Sequence, residues 1–390
     1  MTRIFYISRI NLLSGRTNVY NLAKTCEAIN SVLGFSVTLI TTDQTRDQDA
    51  FNKKMGIIKP FHITCLGVTD TSSSHGGKIC YESFVFLIAN ICIAWFLFKK
   101  RSEFEAIYYR DESLFLAAFL AAFLMRKKVF FEIHAVYEKK YRQIKNILAV
   151  YFSNGVIAIS SGLKRYYQKI NKNILISLCS AAEDLWFDHS KSKVDFRKLL
   201  QLPMEAFIVG YTGVTGINPN NDYYEIDDVV LSLSHLPKNI IFVVVGELNG
   251  NAGWIRDIAK KALVSDRVIF VPWQERSLIP KYLQAFDANL IPKRKKDLVG
   301  DSPAKMFPAL AARRPIIAGR AECIEEVLTD GFGSIIVDSN TPRGWSDAIL
   351  KIYSNPELGE KISNNSGITK TKYTWEKRGV AITDFIKNKI

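Results

Sequence analysis

Short apolar runs and helical repeats alternate along the first part of the chain. RIFYISRI (3–10), FSVTLITTD (35–43), AIYYRD (106–111), KVFFEIHA (128–135) and GVIAIS (155–160) are β-branched or aromatic stretches of strand length. Between them, VYNLAKTCEAINSVL (19–33), SLFLAAFLAAFLM (113–125) and YEKKYRQIKNILAVYF (137–152) space their apolar residues as helices do. Such alternation predicts a parallel sheet covered on both faces. The pattern restarts after Asp188. There AFIVGYTG (206–213), IIFVVVGE (240–247), RVIFVPW (267–273), ANLIPK (288–293), RPIIAG (314–319) and GSIIVD (333–338) read as strands, with DDVVLSLSHL (227–236) and IPKYLQAF (279–286) among the helices. The chain thus reads as an α/β protein of two doubly wound domains, joined near 180–193, with a last helical segment, WEKRGVAITDFIKNKI (375–390), that no strand follows. In such sheets ligands bind beyond the C-terminal strand ends. Two domains facing each other would offer a deep cleft.

One apolar segment stands apart. FVFLIANICIAWFLF (84–98) has only Asn90 as a polar residue and is flanked by Glu82 and by Lys99, Lys100 and Arg101. At about 1.5 Å per residue it is shorter than the ~30 Å hydrocarbon core, so it does not span a bilayer as a helix. It is either a buried core helix or a helix dipping into a membrane surface. The net charge of +14 bears on the choice, because residues 1–185 carry +10 and the remainder +4. An anionic surface facing the first half is one reading, and a merely soluble basic surface is the other.

At 390 residues, with 48% hydrophobic and 23% charged positions, the composition is that of a globular two-domain chain. Six cysteines lie far apart with no C-x-x-C, which argues against a disulfide framework or structural zinc and suits a reducing cytosol. The five histidines show no metal-binding spacing. Arg3 and Arg9 interrupt the first apolar run, so it reads as a strand rather than a signal peptide.

Candidate chemistry gathers at the predicted strand ends. GDSPAKMFPALAARRPIIAG (300–319) reads as loop, helix and strand, with the helix starting near Ser302 or Pro303. The first amides of a helix lack partners and carry the positive dipole end, so Ser302, Pro303, Ala304 and Lys305 form a candidate phosphate site. The loop KRKK (293–296), beginning with Lys293, adds charge. His134, at the end of FEIHA, is a structural hydrogen bonder or a catalyst. Gly15, followed by Arg16 and Asn18, lies after the first strand, where a bare backbone admits a ligand or simply turns. Arg110 and Asp111 at another strand end form a ligand contact or an ion pair.

These segments resemble, in order and over nearly the whole chain, the retaining GT-B glycosyltransferases of family 4, of the kind that build bacterial surface polysaccharides. SPAKMF (302–307) followed by PALAARRPIIAG resembles that family's S-P-x-K-x-F-E, small-residue helix and P-I-I-A strand. GYTG (210–213), VVVGELNG (243–250), the run 266–293 and EEVLTDGFGSIIV (325–337) resemble its nucleotide-domain segments. YYRDESL, FFEIHA, IAISSGLKRYY and SAAEDLWF resemble those of its other domain.

The resemblance implies an acceptor domain over 1–187, a nucleotide-sugar domain over 188–370, and a helix over 371–390 that packs back on the first. It implies transfer of a sugar from a UDP- or GDP-linked donor to a lipid-linked or growing cell-surface glycan, with retention and without a metal or other cofactor. His134 would be catalytic, and Thr212, Gly213, Asp301, Ser302, Pro303, Ala304, Lys305 and Glu326 would bind the donor. Gly15, Arg16, Asn18, Arg110 and Lys293 would be further donor or acceptor contacts. The expected location is cytoplasmic, or peripheral on the cytoplasmic face of the inner membrane, with no nucleic-acid partner. Two departures favour an alternative, a catalytically silent homologue that binds glycan or scaffolds a biosynthetic complex. The family's paired glutamates fall on Gly300 and Pro308, and the segment 214–225 lacks the family's Arg and Lys.

Overall fold

A computed structural model describes residues 1–14, 16–45, 47–68, 79–215, 226–247, 252–293 and 302–390, with the side chains of 79–84 outside that description. The chain forms two compact units. Unit 1 comprises Met1–Ser180, Leu298–Ser302 and Trp375–Ile390; unit 2 comprises Ala181–Asp297 and Pro303–Thr374.

In unit 1, strands β1 (Thr2–Ser8), β2 (Phe35–Thr41), β3 (His62–Cys65), β4 (Ala106–Tyr109), β5 (Lys128–Ile133), β6 (Gly155–Ala158) and β7 (Ile174–Ile176) form a parallel sheet. Its order is β3-β2-β1-β4-β5-β6-β7. Helices α1 (Thr17–Asn30), α2 (Gln48–Met55), α3 (Ile79–Lys99), α4 (Phe115–Met125), α5 (Lys140–Phe152) and α6 (Ser161–Tyr167) connect the strands. The chain leaves β1 to one side and β4 to the other, so their C-terminal ends flank a switch point. Phe5, Ile107 and Phe131, from three neighbouring strands, lie in one apolar core with Ile93 and Leu97 of α3 and Ala117 and Ala121 of α4. The segment 84–98 is therefore part of a longer helix, one face of which is core.

In unit 2, β8 (Phe207–Thr212), β9 (Ile240–Glu247), β10 (Val268–Pro272), β11 (Ala288–Ile291), β12 (Ile316–Ala318) and β13 (Ile335–Ile336) form a second parallel sheet, ordered β10-β9-β8-β11-β12-β13. Its helices are α7 (Lys193–Leu200), α8 (Ile226–Ser232), α9 (Gly253–Lys261), α10 (Ile279–Ala285), α11 (Met306–Ala311), α12 (Glu322–Glu325), α13 (Pro342–Tyr353) and α14 (Pro356–Lys370). The switch point here lies between β8 and β11. Trp345 of α13 is fully enclosed among Val209, Phe242 and Val244 and anchors that helix to the sheet.

The final helix, α15 (Trp375–Lys387), packs on α1 in unit 1. The two meet closely because Gly379 has no side chain: a Cβ there would lie 2.5 Å from the Ala28 carbonyl oxygen. Arg378 reaches deep into the unit from this helix. No helix among the described residues is long and apolar enough to cross a membrane.

The helix of the 300–319 stretch begins later than the sequence suggests. The Met306 amide donates to the Pro303 carbonyl at 3.0 Å, so Pro303–Lys305 form a turn, and α11 starts at Met306 with Lys305 at its N-cap. Pro303 therefore sits before the helix rather than in its first turn. Pro308 takes the third helical position, where a missing N–H costs no intrahelical bond.

Candidate functional site

In unit 1 the end of β5 carries the main cluster. Successive strand side chains alternate in direction, so Glu132 and His134 project the same way on either side of Ile133. His134 Nε2 lies 2.6 Å from Glu132 Oε1. The other carboxylate oxygen accepts from Arg378 Nη2 at 2.7 Å and from the Tyr108 hydroxyl. Arg378 itself is buried and also donates to the Ser177 carbonyl at 2.7 Å and to the Leu178 carbonyl.

Burial by itself would raise the Glu132 pKa. The Arg378 guanidinium and the His134 hydrogen bond outweigh it and hold the carboxyl well below the usual carboxylate range. His134 is pulled down from 6.5 to about 4 by burial and by the positive charge of Arg110, against the opposing pull of Glu132. At neutral pH the pair is thus a carboxylate and a neutral imidazole. An ionised carboxylate only accepts, so the imidazole proton sits on Nε2 and Nδ1 is the acceptor nitrogen. The His134 side chain is 21% accessible.

Arg110 follows β4 and donates to the Asn18 carbonyl at 3.1 Å, which ties the start of α1 to the switch point. Arg16 is exposed at the N-cap of α1, and the Asn18 side chain accepts from the neighbouring Val19 amide. Gly15 lies outside the described residues.

In unit 2 the switch point carries a second cluster. Gly213 follows β8 with φ +150°, and its amide donates to the Val245 carbonyl at 2.8 Å. Gly246, at φ +121°, presses against it: a Cβ on Gly246 would lie 2.7 Å from the Gly213 carbonyl oxygen. Above this bare backbone sits the Lys305 ammonium, donating to the Tyr211 hydroxyl at 2.7 Å and lying 4.3 Å from that ring's centre. A Cβ on Gly213 would come within 2.6 Å of Lys305 Nζ, so the glycine makes room for the lysine. No side chain caps α11, and its first turn has no acidic residue. Ser302, whose Oγ is buried without a hydrogen-bond partner, belongs to unit 1 and is not part of this cluster. A cation, uncapped amides and a glycine turn together suit a phosphate or diphosphate.

Thr212 is buried at the end of β8, and Lys293 is buried just beyond β11, its carbonyl accepting from Asn340 at 3.3 Å. Glu326 is half-buried; its carbonyl accepts from the Tyr373 hydroxyl at 3.3 Å, and the Tyr373 ring packs on Phe307 of α11. Gly300, Asp301, residues 294–296 and most of 214–225 lie outside the described residues. No group of three His, Cys, Asp or Glu side chains among the described residues could hold a metal ion. Reading the sequence alone passed over Tyr211, which fixes Lys305, and Arg378, which fixes Glu132. Tyr211 had a signal, since it lies two residues before Gly213 in the same segment; Arg378, 246 positions from its partner, had none.

This pairing of two doubly wound units with a final helix on the first defines the GT-B class of proteins. The structure aligns over its whole length with GT-B structures. One is the Anabaena protein HepE in complex with UDP and glucose, at 14% identity, covering 99% of this chain and 100% of that one with a TM-score of 0.73. Another is sucrose-phosphate synthase from Thermosynechococcus elongatus, at 15% identity, 100% and 99% coverage and a TM-score of 0.75. Within that class, residues 220–367 match the family model of glycosyl transferases group 1. Among curated relatives, a D-inositol 3-phosphate glycosyltransferase of Xylanimonas cellulosilytica is 22% identical over 196 residues, 50% of this chain and 45% of that protein. The alpha-D-kanosaminyltransferase of Streptomyces kanamyceticus is 22% identical over 173 residues, 44% of this chain and 43% of that protein. The match spans less than half the length of either relative.

Proposed function

We propose that the protein is a glycosyltransferase that moves a sugar from a UDP- or GDP-linked donor to a lipid-linked or growing cell-surface glycan, retaining the anomeric configuration. The observation that carries this reading is Lys305, held by Tyr211 over Gly213 at the switch point of the unit that matches glycosyl transferases group 1. There the donor's diphosphate meets a fixed ammonium and the amides before α11. The charge that develops on the leaving nucleotide is stabilised by groups already in place. Glu326 and Thr212 complete the donor side in this reading. His134, neutral at Nδ1, orients a sugar hydroxyl rather than delivering a proton. Arg16, Asn18 and Arg110 line the acceptor side.

A surface-glycan acceptor is supported by likeness in fold to a lipopolysaccharide outer core galactosyltransferase, at 12% identity and a TM-score of 0.67. In this reading the protein works at the cytoplasmic face of the inner membrane and touches anionic lipid through residues 84–98.

Calorimetric titration with UDP, GDP, CMP and ADP tests the proposal. One nucleotide binds, and Lys305→Ala weakens it by about tenfold, roughly 1.4 kcal/mol, as expected for a charge-assisted phosphate contact. Pro308 favours a second reading. It stands where the family places a glutamate for the donor ribose, and it offers no acceptor side chain. Binding of no nucleotide would select a silent, glycan-binding homologue.

A further inference from the structure

Unit 1 exposes apolar side chains on three consecutive helices. On α3, Leu87, Ile91, Trp95 and Phe98 all point outward, with Trp95 58% accessible. Their spacing of four, four and three residues makes one stripe along the helix. Ile93 and Leu97 on the other side fill the core, so α3 is apolar on both faces although the core needs one. In α4, Ala117, Ala118 and Ala121 pack inward, while Phe123 is 72% and Leu124 63% accessible. In α5, Tyr141, Ile144 and Tyr151 are exposed.

The three stripes join. Phe119 of α4 meets Phe152 of α5 edge-on at 5.0 Å between ring centres, and α3 packs along α4. Lys145 of α5 lies 5.4 Å above the Phe86 ring of α3.

Charge identifies what covers this face. Neither α4 nor α5 contains an acidic residue. Basic clusters mark the helix ends: 99–101 after α3, 126–128 after α4, and Lys139 and Lys140 at the start of α5. Two of these cations lie over the outward aromatics, Lys99 Nζ 5.0 Å from the Trp95 ring centre and the Arg101 guanidinium 4.7 Å from that of Phe98. An apolar centre with an aromatic and basic rim suits an anionic leaflet, whose acyl chains take the first and whose headgroup phosphates take the second. An eleven-residue helix such as α4 is only about 16 Å long, so it lies in the interface and does not cross it.

We infer that α3, α4 and α5 form one face that inserts into the surface of an anionic bilayer, with Trp95 and Phe123 reaching the acyl region. This extends the membrane contact proposed above through residues 84–98, and rests on it for the membrane as partner. What is added is the insertion of α4 and α5.

The full chain is sedimented with phosphatidylcholine vesicles, with and without phosphatidylglycerol. Binding is expected only with phosphatidylglycerol, and Phe123→Glu should weaken it about tenfold. Brominated acyl chains should quench tryptophan fluorescence, and Trp95→Phe should remove most of that quenching while sedimentation persists. Release by Trp95→Glu but not by Phe123→Glu would keep the contact through 84–98 and overturn the three-helix face. Absence of binding to either vesicle would overturn both. A concentration-dependent dimer that Phe123→Glu disperses, without vesicle binding, would assign the face to a second copy of the chain and overturn the inference. Melting curves of each variant report that the fold is intact, since both side chains are largely solvent-accessible.

Discussion

Glu132 and His134 are coupled, and acid should weaken the fold around them. Both groups have folded pKa values below their ordinary ones, so both contribute stability that is complete above the unfolded values and lost as pH falls. For His134 the loss runs from about 6.5 down to about 4, and Glu132 adds to it below that window. Urea titrations from about pH 8 to about pH 4 should show unit 1 weakening by on the order of 3 kcal/mol across the histidine window. His134→Gln should flatten that part of the profile, because glutamine has no proton to gain. A profile unchanged by the substitution would show that other groups carry the acid sensitivity. Individual residues were legible in the sequence where local grammar places them, as with Lys305 four residues before Ala309 and His134 at the end of a strand. Their partners were not, because Tyr211 and Arg378 lie 94 and 246 positions away and only packing brings them in.

At the level of elements, the central strands were plain in the sequence, since burial on both faces demands continuous β-branched or aromatic runs. The edges were not. HITC of β3 and ILI of β7 are short, and each has a neighbour on one side only, so neither needs a strong apolar signature. The start of α11 was misplaced because Pro303 suits a turn as well as a first helical position. The resemblance put the last helix on the first domain but did not name α1 as its partner, a contact that depends on one glycine. Gly379→Ala would put a methyl group against the Ala28 carbonyl, and because the obstacle is backbone the helices must separate. A loss of about 1–3 kcal/mol is expected in unit 1, read as faster hydrogen exchange along α1 and α15. Unaltered exchange would mean that α15 can shift without cost.

At the scale of the whole molecule, the two-sheet design follows from the alternation of strand and helix, but the membership of unit 1 does not. Its last piece, Trp375–Ile390, is separated from the rest by nearly all of unit 2. Removing that piece would leave Glu132 buried without its guanidinium, a defect costing about 3–5 kcal/mol for a pair of this kind. Deletion of Trp375–Ile390 should therefore strip exchange protection from β4, β5 and β6 while β8 and β9 keep theirs. Equal loss in both units would show that the helix supports the molecule as a whole.

The same separation bears on synthesis. Domains of a nascent chain ordinarily fold in the order in which they emerge from the ribosome. Here the segments bearing Glu132, Tyr108 and His134 emerge before unit 2, but their buried cation emerges after it. The unit translated first is thus the one completed last, and in the interval water must solvate a carboxylate that the finished protein seals away.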